Sequence, residues 1–267
     1  MSIKTPNIKT IAAALTATAA LSGAPVHAAE PAQSPTVVLV HGAFADSTSW
    51  NGVAERLNAH GVKVVAAANP LRGVAEDARY VSSLVDSIPG PVVLVGHSYG
   101  GSVISNVTWR EPKVKALVYV AAFAPEVGES AGKLAGQFPG GTLGEALAPP
   151  VPTPNGGKDL YIDQNKFWKQ FAGDVKESEA RLMAIGQRPI LESALGEPSQ
   201  RATWKQVPSY FVYGTADKNI PAAALEFMAK RANSRETVVV KNASHVVMTS
   251  NPEPVAKLIE QAIAEQK

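Results

Sequence analysis

One serine lies between glycines in a pattern that suits nucleophilic attack. Residues 94–101 read Leu-Val-Gly-His-Ser-Tyr-Gly-Gly and directly follow the apolar run at residues 91–93. This G-x-S-x-G pattern connects a predicted strand to a predicted helix through a sharp turn that exposes the serine hydroxyl. The turn crowds the backbone, and glycines two residues before and after the serine remove the Cβ atoms that would collide. We therefore interpret Ser98 as a nucleophile, although the bare pattern also occurs by chance in loops.

A serine hydroxyl is a poor nucleophile until a neighbouring base takes its proton. Of the five histidines, we predict that His245 is this base, because it follows the last predicted strand, where a loop projects toward the serine. The alternative is a histidine of a surface loop. The other four are expected elsewhere: His27 in a cleaved leader, His60 at a solvated helix end, His97 as support for the serine turn, and His41 in the oxyanion loop.

The base needs an acid that fixes its tautomer and stabilises its positive charge. We predict Asp217, which follows the predicted strand at residues 210–213. An N-cap of the next helix is the alternative role for this residue, and Glu126 is the alternative acid. The tetrahedral intermediate needs N–H donors for its oxyanion, and we predict the backbone amides of Ala43 and Tyr99.

Apolar runs alternate with helical patterns, which predicts an α/β fold with a mostly parallel central sheet flanked by helices. The predicted strands lie at residues 36–40, 62–66, 91–95, 114–122, 210–213 and 237–240. Residues 126–205 interrupt the alternation with loops rich in proline and glycine and with two helical stretches. We interpret this segment as a helical cap that is inserted before the last strands and covers the carboxyl edge of the sheet.

Residues 1–28 have the pattern of a secretory signal peptide. Two lysines precede the apolar stretch at residues 11–20, and small residues surround Val26-His27-Ala28. Cleavage is predicted after Ala28, which leaves residues 29–267 as a single domain in the periplasm or outside the cell. The apolar stretch is shorter than the about 20 residues of a membrane-spanning helix, so no membrane partner is expected after cleavage.

Composition narrows the expected partners. The chain has 267 residues and no cysteine, so disulfides and thiolate metal sites are excluded. Its formal charge of +2 falls to zero without Lys4 and Lys9. The sequence shows no stripe of basic residues that would indicate nucleic-acid binding. A small-molecule substrate is the expected partner, no metal or cofactor is expected, and the oligomeric state is left open.

Several motifs together resemble the α/β-hydrolase superfamily. They are His41-Gly-Ala-Phe44, the serine turn, Gly214-Thr-Ala-Asp217 and Ala243-Ser-His245. The order Ser98, Asp217, His245 along the chain is the order of that superfamily. Within it, the chain is similar to the plant methylesterase and hydroxynitrile lyase group and its bacterial esterase-like relatives. The resemblance implies an eight-stranded sheet.

One departure separates the two activities of this group. The resemblance implies that the lyases carry a lysine directly after the catalytic histidine and a threonine in the oxyanion loop. Here the residue after the histidine is Val246, and residues 41–44 contain no threonine. Cyanohydrin cleavage is therefore disfavoured.

These observations predict a cofactor-free serine hydrolase that cleaves small, fairly apolar esters, lactones or amides through an acyl-enzyme intermediate. Apolar side chains of the cap and nearby core are the candidates for its pocket: Phe44, Tyr161, Phe167, Trp168, Phe171, Trp204 and Met248. The fold alone does not fix the chemistry. A lyase, a carbon–carbon bond hydrolase, a cofactorless oxygenase and a ligand-binding receptor-like protein therefore stay open as alternatives.

Overall fold

The computed structural model describes residues 1–3 and 34–266 of the chain. Residues 34–266 belong to one compact unit. Apart from residues 1–3, the expected signal peptide lies outside the described residues and stays a prediction. Within the described ranges, no helix combines the length and the apolar character needed to cross a membrane.

Six of the nine strands in the described ranges form one central sheet, in the order β2-β1-β3-β4-β8-β9 with every neighbouring pair parallel. The strands are β1 (Thr36–Val40), β2 (Val64–Ala67), β3 (Val92–His97), β4 (Val114–Val120), β5 (Val151–Pro152), β6 (Lys158–Leu160), β7 (Ile190–Leu191), β8 (Ser209–Gly214) and β9 (Thr237–Val240). Strands β1, β3 and β8 are buried along their whole length. Continuous apolar runs are typical of parallel strands covered on both faces.

Helices cover this sheet and build the segment inserted between β4 and β8. They are α1 (Asn51–Ala59), α2 (Val74–Ser87), α3 (Tyr99–Ile104), α4 (Ala131–Gly136), α5 (Leu143–Ala146), α6 (Gln164–Phe171), α7 (Glu177–Gly186), α8 (Glu192–Gly196), α9 (Ala222–Arg231), α10 (Val247–Ser250) and α11 (Pro252–Ala264). Helix α11 packs against β3, β4 and β8, and α3 packs against β1, β3 and β4.

The predicted fold class is confirmed, and each of the six central strands lies where a strand is predicted, within two residues at every boundary. The eight strands implied by the resemblance are not met in the described part of the chain, where the central sheet has six.

The cap is mainly helical, as predicted, and also contains a small antiparallel sheet in the order β5-β6-β7. Its strands are two or three residues long, which is too short for an alternating pattern to be recognised.

Polar contacts fix the cap to the segment that leads into α2. The carboxylate of Glu197 accepts hydrogen bonds from the backbone N–H groups of Val74 at 2.7 Å and Ala75 at 3.1 Å. These groups begin α2, where helices leave N–H donors unsatisfied and favour negative charge. Arg72 pairs with Asp159 of β6 at 2.7 Å. The cap is therefore held in place by α2 as well as by its chain connections.

We expect Glu197→Ala to lower the free energy of unfolding by about 1.5–3 kcal/mol, the range for hydrogen bonds to a charged group. Urea denaturation followed by circular dichroism measures this change. The exposed Glu55 in α1 provides the matched control, and Glu55→Ala should change stability by less than about 0.5 kcal/mol. Equal effects of the two substitutions would contradict the anchoring role.

Candidate active site

Ser98 occupies the turn between β3 and α3 with a backbone φ of +52°. This left-handed conformation is uncommon for residues other than glycine. The backbone packs closely around it: a Cβ on Gly96 would lie 2.7 Å from the Gly100 carbonyl oxygen, and one on Gly100 would lie 2.4 Å from the Val40 carbonyl oxygen. Both glycines are therefore required by close approach, as the sequence pattern predicts.

His245 and Asp217 form a buried hydrogen-bonded pair. His245 Nδ1 donates to Asp217 Oδ2 at 2.7 Å, and the two side chains are 1% and 0% exposed. The other carboxylate oxygen of Asp217 accepts the backbone N–H groups of Asn219 at 2.8 Å and Ile220 at 2.9 Å. With Nδ1 bound to the carboxylate, the Nε2 atom is the ring nitrogen left for proton transfer.

Ser98 and His245 line the same cavity, together with Ala43 and Tyr99. Ser98 follows β3, Asp217 follows β8, and His245 follows β9. These three strands are separate in sequence, and they bring the three residues to the same carboxyl edge of the sheet. Glu126, the alternative acid, instead pairs with Lys205 at a partly exposed position. Its hydrogen bond to Lys205 lowers the pKa of the Glu126 carboxyl.

His97 contacts His245 and helps to fix its position. Its Nε2 donates to the backbone carbonyl of His245 at 3.1 Å, and the two ring centroids are 4.7 Å apart. Burial holds the pKa of His97 well below its ordinary value, and the nearby charge of His245 lowers it further. A neutral, fully buried ring therefore fixes the backbone of His245, which agrees with the predicted supporting role.

The loop that follows β1 is held by one hydrogen bond from the cap. The Phe44 N–H donates to the Arg188 carbonyl at 2.9 Å, and Phe44 has a φ of +61°. The N–H groups of Ala43 and Tyr99 make no such bond in the described turns and loops. His41 begins the loop, with its Nδ1 bonded to the Gly42 carbonyl at 2.9 Å, and burial lowers its pKa. His60 lies on the surface beside Glu260.

The cavity beside Ser98 has a volume of about 80 Å³. Of the seven side chains predicted for the pocket, Phe44 and Phe171 line it and the other five do not. The remaining wall comes from Ser98, His245, Ala43, Tyr99, Phe123, Ala131, Gly132, Ala135, Leu143, Leu195, Asn219 and Ile220. Ala131 and Ala135 stand four residues apart on α4, a spacing that places them on one helix face. This spacing is the sequence feature that could have predicted which residues of the cap line the cavity.

The five other predicted pocket residues have different surroundings. Phe167 is buried behind Phe171, with ring centroids 4.9 Å apart, and Met248 is also fully buried. The indole N–H of Trp168 donates to the Val175 carbonyl at 3.0 Å. Tyr161 is half-buried, and Trp204 donates its indole N–H to the Pro125 carbonyl at 2.9 Å. Phe167 and Trp168 therefore make contacts within the cap, and Trp204 joins the end of the cap to the segment that follows β4.

The chain belongs to the alpha/beta hydrolase family, which residues 37–258 match. The chain is therefore a hydrolase of the α/β-hydrolase fold. An alpha/beta hydrolase of Aspergillus novofumigatus is 26% identical over 252 residues, which cover 86% of this chain and 97% of the relative. An alpha-hydroxynitrile lyase of Arabidopsis thaliana is 25% identical over 238 residues, which cover 81% of this chain and 92% of the relative.

Two further comparisons extend this group. The pimeloyl-[acyl-carrier protein] methyl ester esterase of Aeromonas hydrophila is 26% identical over 268 residues, which cover 86% of this chain and 96% of the relative. The crystal structure of polyneuridine aldehyde esterase is similar in fold, with a TM-score of 0.73 and 20% identity, over 86% of this chain and all of that chain. The predicted resemblance to the methylesterase and hydroxynitrile lyase group is confirmed.

A buried carboxylate lies behind the cavity wall. Asp77 of α2 accepts hydrogen bonds from the Tyr99 hydroxyl at 2.9 Å and from the Arg72 N–H at 3.1 Å. Burial raises the pKa of Asp77 to about 6, because these hydrogen bonds only partly offset the lost hydration. Burial and the adjacent carboxylate also raise the pKa of Tyr99, so its phenol stays protonated and donates.

We expect Asp77 to make stability depend on pH. Its pKa is higher in the folded chain than the ordinary 3.8, so the proton stabilises the folded state. That stabilisation is complete below about pH 4 and is lost as the pH rises through about 6. The difference between these pKa values corresponds to about 3 kcal/mol.

Asp77→Asn removes this titration. The unfolding free energy of the original protein minus that of the variant, measured in urea between about pH 4 and pH 7, should fall by about 3 kcal/mol. A difference that stays constant to within about 0.5 kcal/mol over this range would show that Asp77 does not titrate there.

Proposed function

We propose that the chain is a serine esterase that works through Ser98, His245 and Asp217. The observation that carries the proposal is the 2.7 Å hydrogen bond between buried His245 and Asp217, with His245 in the wall of the cavity that Ser98 also lines. A carboxylate bound to Nδ1 orients the ring and stabilises the imidazolium that forms during acyl transfer.

The reaction has two halves. In the first, His245 Nε2 takes the Ser98 proton, the serine oxygen attacks the ester carbonyl carbon, and the Ala43 and Tyr99 N–H groups bind the oxyanion. The tetrahedral intermediate collapses, the ester C–O bond breaks, and His245 gives its proton to the departing alcohol. In the second half, His245 activates a water that attacks the acyl-enzyme, and the carboxylic acid is released with Ser98 restored.

The surroundings of His245 favour this chemistry over cyanohydrin cleavage. Val246 is fully buried and carries no charge at the position where the resemblance implies a lysine in the lyases. The oxyanion loop at residues 41–44 supplies no threonine hydroxyl. The name of the Aeromonas relative, a methyl ester esterase, also supports ester hydrolysis.

The size of the cavity supports a substrate with a short acyl group. Its volume of about 80 Å³ is roughly half the volume of an engineered cavity that binds benzene. Phe44, Phe123, Phe171 and the α4 alanines make the wall largely apolar. The acyl carbonyl lies at Ser98 in this proposal, which leaves room for a few further atoms.

We also propose that the enzyme is exported. The pattern of residues 1–28 supports a signal peptide cleaved after Ala28, which would deliver the hydrolase domain to the periplasm or the medium.

Ser98→Ala should lower the turnover of 4-nitrophenyl acetate by about 10⁶-fold, as for a triad member that acts as part of a unit. Ser102 offers a matched control, because it is also buried and lies one turn further along the chain, in α3. Ser102→Ala should retain the rate of the original protein to within a few-fold. Turnover that survives in Ser98→Ala would eliminate the mechanism.

We expect 4-nitrophenyl acetate and butanoate to be better substrates than the benzoate, by at least about tenfold in kcat/KM. Leu143→Ala shortens a side chain in the cavity wall and should raise the benzoate-to-acetate ratio of kcat/KM. Leu182 of α7 is 70% exposed, so Leu182→Ala should leave the ratio unchanged. Equal rates for benzoate and acetate in the original protein would rule out this cavity as the acyl site.

A further inference from the structure

One polar side chain stands in the wall of the largely apolar cavity without a described role. Asn219 lines the cavity together with Ser98 and His245, and it is 6% exposed. Its backbone N–H donates to Asp217, but its side chain does not take part in the proposed proton transfers. The presence of this polar side chain in the cavity wall therefore needs a separate explanation.

The hydrogen bonds of Gln170 fix the orientation of the Asn219 amide. The Lys218 carbonyl oxygen can only accept a hydrogen bond. The side-chain nitrogen of Gln170, and not its oxygen, must therefore face this carbonyl, at a distance of 3.0 Å. The same Gln170 Nε2 donates to Asn219 Oδ1 at 2.8 Å. The Gln170 oxygen accepts from the Thr142 hydroxyl at 2.9 Å, which agrees with this orientation. The Asn219 side-chain oxygen therefore faces Gln170, and its Nδ2 points away from Gln170 Nε2.

Asn219 Nδ2 is buried and has no hydrogen-bond partner among the described residues. Buried polar atoms in native proteins are nearly always hydrogen-bonded, so each exception needs a reason. An unpaired donor on a residue of the cavity wall is available to an acceptor atom that arrives with the substrate. Sites built this way reject analogues that lack the acceptor, because the protein donor is then left unpaired.

We propose that Asn219 Nδ2 donates a hydrogen bond to a second oxygen on the acyl group of the substrate. The preferred substrates are then short esters with an oxo oxygen near the scissile carbonyl, with 3-oxobutanoate esters as the model. This inference rests on the proposed esterase function and narrows its substrate class. The 3-oxobutanoyl group leaves four non-hydrogen atoms beyond the ester carbonyl, which suits a cavity about half the size of one that holds benzene.

Two methyl esters with the same number of non-hydrogen atoms provide the test. Methyl 3-oxobutanoate carries the second oxygen, and methyl 3-methylbutanoate replaces it with a methyl group. Their kcat/KM values are measured by titration of the released acid. Because the oxo group also activates the ester chemically, the decisive quantity is the change in the ratio of the two values between the original protein and each variant, since the chemical activation is the same in both.

Asn219→Leu keeps the side-chain size and removes the donor. We expect the oxo-to-methyl ratio of kcat/KM to fall about tenfold, the usual range for one neutral hydrogen bond, with the change mainly in KM. Gln170→Leu should lower the ratio by a smaller factor, because it releases the orientation of the Asn219 amide. The exposed Asn58 of α1 supplies the matched control, and Asn58→Leu should leave the ratio unchanged.

A binding experiment removes the dependence on turnover. In the Ser98→Ala background, adding Asn219→Leu should weaken the Kd of methyl 3-oxobutanoate about tenfold more than that of methyl 3-methylbutanoate. Equal changes for the two esters in both experiments overturn the role of Asn219 while ester hydrolysis itself stands. Failure of every ester, with no turnover by the original protein, overturns the proposed function and this inference with it.

Discussion

Backbone crowding around Ser98 is the constraint on which the site depends. The serine adopts a φ of +52°, and a Cβ on Gly42 would lie only 2.7 Å from the Cβ of Ser98. Strand β3 lies inside the sheet between β1 and β4, so its neighbours cannot move aside without breaking ladder hydrogen bonds. A strained backbone persists only where the surrounding structure holds it in this way. The result is a serine fixed in the wall of a small cavity.

The same sheet edge fixes the candidate base. Asp217 accepts two backbone N–H groups as well as the imidazole, so its carboxylate is held on both oxygens. Burial strengthens such hydrogen bonds, because little water competes for them. His97 packs against His245 as a neutral ring, since burial lowers its pKa. A positive charge that develops on His245 therefore meets a carboxylate on one side and an uncharged ring on the other.

The sequence predicts the convergence of Ser98, Asp217 and His245 because all three follow strands. Parallel strands end at one edge, so the chain order of the strands is enough to bring their loops together. The acyl cavity is different. Which face of each cap helix points inward is decided by packing between helices, and Phe171 lines the cavity while Phe167 and Trp168 pack elsewhere. The small cap sheet is not predicted either, because its strands are too short to show an alternating pattern of apolar and polar residues.

We propose that His245 activates Ser98 at this edge of the sheet. Reaction with a fluorophosphonate, followed by peptide mass mapping, tests it directly. We expect a single phosphonyl adduct on Ser98, with fluoride as the leaving group, and a large loss of labelling rate in His245→Gln. Labelling at another residue, or labelling of Ser98 at the same rate in His245→Gln, would contradict it.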